Sequence, residues 1–103
     1  MSQTYEGGPI TVTTVGKTQT TSGTSARVTI PNNSAGELPR YIRVAATAAA
    51  YVKIGDSSVV ATTNDILVQP ADAVIMSVNA QTNIAYIQDT AAGKVNVLPL
   101  ENV

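Results

Sequence analysis

The chain has no histidine, no cysteine, no tryptophan and no phenylalanine. Histidine and cysteine supply most general bases, nucleophiles and soft metal ligands, so their absence removes the commonest enzyme designs. A disulfide scaffold is excluded outright. Charge is sparse, at 13% of 103 residues, with a formal net charge of −1. The cations Lys17, Arg27, Arg40, Arg43, Lys53 and Lys94 are scattered, so the basic footprint of a nucleic-acid binder is missing. The longest weakly polar run, residues 44–52, contains Thr47 and is too short to span a bilayer. Residues 1–8 have neither a basic stretch nor an apolar core, so a signal peptide is not expected.

What fills the chain is Thr, Val, Ala and Ile, punctuated by Gly, Pro and Asn. The only aromatics are Tyr5, Tyr41, Tyr51 and Tyr86. Ala and Val bury less area than larger side chains, which predicts a thin core that association would supplement. Residues 10–15 alternate apolar residues with Thr, the pattern of a half-buried strand. Residues 16–25 are almost wholly polar and read as an exposed connection or edge. Further strands are expected at 27–30, 40–44, 51–54, 59–60, 66–68, 73–78, 84–87 and 95–98. Turn chemistry such as Pro31-Asn32-Asn33-Ser34 and Gly55-Asp56-Ser57-Ser58 separates them. Residues 45–50 have helical propensity but are too few for a stable helix.

This spacing predicts an all-β fold: an antiparallel, jelly-roll-like β-sandwich of about eight short strands with an extended polar N-terminal arm. The composition divides the chain into residues 1–25, a Thr-rich arm with a first strand, and 26–103, the sandwich. Period-two placement puts Ile42, Val44, Val52, Ile54, Val74, Met76 and Ile84 in the core. Leu67, Ile75 and Leu98 fall out of phase. Strands buried on both faces would account for them, and so would a second subunit covering an outer face.

The carboxylates Glu6, Glu37, Asp56, Asp65, Asp72, Asp89 and Glu101 mostly occupy turn contexts, and no spacing selects a catalytic pair. Asp56, Asp65 and Asp72 lack the density of a calcium loop. There is no Gly-x-Ser-x-Gly elbow and no Ser-x-x-Lys pair. No catalytic residue, cofactor or metal site is expected. Asn32-Asn33-Ser34 is a formal glycosylation triplet, read as accidental without a secretory signal.

Three segments carry a resemblance: Tyr41-Ile42-Arg43-Val44, Ala50-Tyr51-Val52-Lys53-Ile54-Gly55 and Gly93-Lys94-Val95-Asn96-Val97. The stretch that holds them, residues 40–101, resembles the small virion proteins of tailed bacteriophages, most of all capsid cement or decoration proteins. The resemblance implies a non-catalytic structural protein on the virion surface, made in the host cytoplasm. Its implied partners are the major capsid protein and further copies of itself, as a dimer or trimer, with no nucleic acid and no membrane. Thr4 and Tyr5 of the arm, with Leu67, Ile75 and Leu98, are the expected partner contacts. The alternatives are a small head–tail or tail component, or a receptor- or carbohydrate-binding head of a tail fibre. Two exposed tyrosines converging on one concave face would mark the binding head.

Overall fold

The computed structural model describes residues 12–101. Eight strands follow one another: β1 (Lys17–Thr20), β2 (Ala26–Thr29), β3 (Tyr41–Ala46), β4 (Ala50–Gly55), β5 (Ile66–Val68), β6 (Val74–Ser77), β7 (Asn83–Gln88) and β8 (Lys94–Pro99). They form two antiparallel four-stranded sheets, ordered β1-β8-β3-β6 and β2-β7-β4-β5. The pairs β1/β8, β2/β7, β3/β6 and β4/β5 are the two sides of one long ribbon folded at the β4–β5 connection. Rolling up that ribbon adds the pairings β3/β8 and β4/β7. The expectation of an all-β sandwich is met, and no helix occurs among the described residues.

Alternation explains which faces meet. On β3, Ile42 and Val44 are fully buried while Tyr41 and Arg43 lie on the other face. Val44 stands opposite Val97 of β8, and Val52 of β4 stands opposite Tyr86 of β7. These join Ile30, Ala50, Val68, Val78, Ile84 and Val95 in one cluster between the sheets. Of the seven expected core residues, Ile42, Val44, Val52 and Ile84 are fully buried. Ile54, Val74 and Met76 pack against the cluster but are only partly buried.

The first part of the chain departs from the sequence pattern. Residues 12–15 lie in no strand, and residues 10–11 fall outside the described residues. The first strand is instead β1, within the stretch read as an exposed connection, so the sandwich begins before residue 26. Its inward positions carry polar side chains. Lys17 and Gln19 stand opposite the buried Val97 and Val95. The Lys17 ammonium donates to the Thr29 hydroxyl and to the Thr29 carbonyl at 3.0 Å, and Gln19 accepts from the Tyr86 hydroxyl at 3.3 Å. Both reach β2–β7 from β1 and tie the two sheets together along that edge. Residues 59–60 are no strand either. Val59 and Ala61 fold over the outer side of β7 and cover Ala85, which has no exposure.

Two turns hold alanine or asparagine in the left-handed region. Gln69–Asp72 closes with an Asp72 amide to Gln69 carbonyl bond of 3.1 Å, with Pro70 second and Ala71 third at φ 69°. Val78 and Gln81 close in the same way at 3.1 Å around Asn79 and Ala80, at φ 54° and 64°. That second turn carries the chain from β6 to β7 across the sheets.

Candidate partner-binding surface

The outward faces of the two sheets differ in what they carry. On the β1-β8-β3-β6 sheet, Arg43 stands directly opposite Ile75 on one side and Leu98 on the other. Register therefore brings Ile75 and Leu98, 23 residues apart in sequence, to the two flanks of one arginine. All three are half-buried. Among the described residues Arg43 has no hydrogen-bond or ion-pair partner. A guanidinium with five donors, flanked by two apolar side chains, is chemistry enriched at the centre of protein interfaces.

Leu67 lies elsewhere. It stands opposite Tyr51, which in turn stands opposite Ile87, on the outer face of the β2-β7-β4-β5 sheet. The expected contacts Ile75 and Leu98 are brought together, and Leu67 is not. Thr4 and Tyr5 lie outside the described residues. Sequence reasoning missed Arg43: alternation placed it outward, but only register shows its apolar flanks.

The outer face around Leu67 is partly closed by the chain itself. Val59 and Ala61 cover Ala85, and Ile87 packs against them. The Ser25 hydroxyl accepts from the Ala61 amide at 2.9 Å. Gly55 permits this fold-over, because a Cβ there would lie 2.7 Å from a Val59 methyl. No buried cluster of the described residues lies on the outer side of the other sheet.

Among the described residues the tyrosines do not converge. Tyr41 is on the outer face of β3, Tyr51 on that of β4, and Tyr86 points between the sheets. Burial raises the Tyr51 phenol above its ordinary pKa, helped by the charge of Asp89 and a 3.3 Å bond to it. Burial also raises Tyr86.

The carboxylates serve local structure. Asp56 accepts from the Ser58 amide at 2.9 Å and the Ser58 hydroxyl at 2.8 Å, which together hold it below the usual carboxylate range. Asp65 accepts from the Thr62 amide at 2.7 Å. Among the described residues no three His, Cys, Asp or Glu side chains gather as a metal site. Glu101 is different in reach. Its carboxylate accepts from the Ser34 hydroxyl and the Thr13 hydroxyl, each at 2.6 Å, and from the Ser34 amide at 3.1 Å. This clasp joins the segment before β1, the β2–β3 loop and the segment after β8. The same Ser34 hydroxyl is the third member of the formal glycosylation triplet.

Compared with known proteins, the chain matches no family model, no curated protein and no solved structure.

Proposed function

We propose that this protein is a non-catalytic structural protein of a tailed-bacteriophage virion, a cement protein that binds the outside of the capsid shell. The observation that carries the reading is the Leu98–Arg43–Ile75 row: among the described residues the arginine has no partner, lies between two half-buried apolar residues, and sits on an outer face that no buried cluster covers. That face is the one laid on the major capsid protein, and Leu67 on the other sheet is not part of it. The rolled ribbon, which we read as a jelly roll, fits this role, since such folds recur in viral shells. They recur in lectins too, so the fold alone does not choose. The receptor-binding alternative draws no support from the three described tyrosines, which lie on three different surfaces. Cementing needs only binding energy, and many copies acting together make modest individual affinity sufficient.

The test compares shells with and without the protein on heating. Decorated shells should retain their genome to a higher temperature. Equal retention rules out cementing and moves the reading to a receptor-binding head.

A further inference from the structure

The loop between β2 and β3 joins an asparagine side chain, a backbone nitrogen and a carboxylate in one set of hydrogen bonds. Asn33 is buried there. Its side-chain oxygen accepts from the Ala35 amide at 3.0 Å and from the Glu37 amide at 3.1 Å. Its own amide donates to the Glu37 carbonyl at 2.9 Å, and its carbonyl accepts from the Gly36 amide at 3.0 Å. The next residue is Ser34, whose amide donates to the Glu101 carboxylate at 3.1 Å.

These contacts fall on the parts of one reaction. An asparagine side chain is open to attack by the nitrogen of the following residue, once that amide has lost its proton to hydroxide. Here the Ser34 nitrogen would bond to the Asn33 Cγ, the Cγ–Nδ2 bond would break, and the nitrogen would leave as ammonia after taking a proton from water. Water then opens the cyclic imide to aspartate or isoaspartate. Negative charge develops on the side-chain oxygen during the attack. The Ala35 and Glu37 amides already donate to that oxygen, as the donors of an oxyanion hole do. Serine is small and does not shield its nitrogen. Against these stands Glu101. Its carboxylate occupies the Ser34 N–H and sets a like charge beside the anion that has to form. Hydrogen bonds from Ser34, then from Thr13, hold that carboxyl below the ordinary glutamate value. It is therefore too weak a base to take an amide proton, and its contact restrains the nitrogen instead of activating it.

We propose that Asn33–Ser34 is a latent self-modification site, primed by the two backbone donors and held closed by the Glu101 carboxylate. Its product would bury a charge, or an extra backbone carbon, in the loop that leads into β3. The proposal concerns this chain alone and holds whether or not the protein sits on a capsid.

The test follows the mass gain of deamidation in the tryptic peptide 28–40 after incubation of folded protein at neutral pH. Fragmentation separates Asn33 from Asn32, and circular dichroism checks folding. Each unit by which a neighbouring charge raises an amide's pKa cuts the reactive anion about tenfold. Glu101→Ala and Glu101→Gln should therefore each modify Asn33 at least about tenfold faster than the wild type. Glu101→Gln keeps the shape of the side chain and drops only its charge, so it decides the matter if Glu101→Ala does not fold. Thr13→Val loosens the same cluster while leaving the Ser34–Glu101 contact, and should stay near the wild-type rate. Asn32 is exposed, and the amide that would attack it is held by Glu37, so its rate should not follow that of Asn33. A wild-type rate at Asn33 in Glu101→Gln overturns the proposal. So does Thr13→Val as fast as Glu101→Gln, or an equal rise at Asn32, since either shows that loosening of the loop is the cause.

Discussion

Single residues show where the backbone carries strain. Ala80 and Ala71 hold φ of 64° and 69°, positions that favour glycine. Left-handed backbone costs an L-residue roughly 1–2 kcal/mol, and glycine gives back about 0.5–1 kcal/mol of that in entropy. Ala80→Gly is therefore expected to raise stability by roughly 0.5–1 kcal/mol, read as an increased midpoint in urea. Gly93 works in the opposite sense. A Cβ there would meet the Ala48 Cβ at 2.7 Å and the Thr47 hydroxyl at 2.9 Å. Around it the Thr21 hydroxyl accepts from the Gly93 amide at 2.9 Å, and Thr47 accepts from the Lys94 amide at 2.8 Å. Gly93→Ala forces these strand connections apart and should cost about 1–3 kcal/mol in the same titration.

Elements were legible where one side chain type alternated with another. β3, β4 and β8 announce themselves through Ile42 and Val44, Val52 and Ile54, Val95 and Val97, because a period of two needs only the local sequence. β1 did not, since Lys17 and Gln19 fill its inward positions and their partners Thr29 and Tyr86 are distant in sequence. Val59 imitated a strand because a plug over an outer face and a buried strand residue are equally apolar. The site was legible only as three out-of-phase residues. Which two share a face depends on register, and register is set by the whole sheet.

The Glu101 clasp belongs to this scale too, because it fixes how the segment before β1 meets the loop after β2. Hydrogen bonds from Ser34, then from Thr13, hold its carboxyl below the ordinary glutamate value. No charged side chain is among the causes. A lowered folded-state pKa stabilises above the unfolded value and loses that contribution as pH falls through the folded one. Cleavage within residues 12–16 by an acid-tolerant protease should therefore be slow at neutral pH and speed up as pH drops below the ordinary glutamate range. In Glu101→Gln the rate should be high at neutral pH and nearly independent of pH. A wild-type rate flat across the same range would show that the clasp does not hold the segment.

At the scale of the whole molecule, the two outer faces have different fates. One is partly closed by Val59 and Ala61, and the other offers Ile75, Arg43 and Leu98. If the second face lies on a shell, a cation placed beside Arg43 meets a like charge and is buried without a partner when the protein binds. Leaving a charge buried without a partner costs at least about 3 kcal/mol, roughly a hundredfold in affinity. Ile75→Lys should then abolish decoration of purified shells while the melting temperature of the free protein changes little, since the residue points away from the core. Arg43→Ala should weaken decoration as well, by removing the donors that the shell would satisfy. Arg27→Ala, an exposed change on the outer side of β2, should decorate like the wild type. Co-sedimentation of each variant with undecorated shells measures all three. If Ile75→Lys sediments as fully as Arg27→Ala, this face does not meet the shell, and the row between β6 and β8 has some other partner.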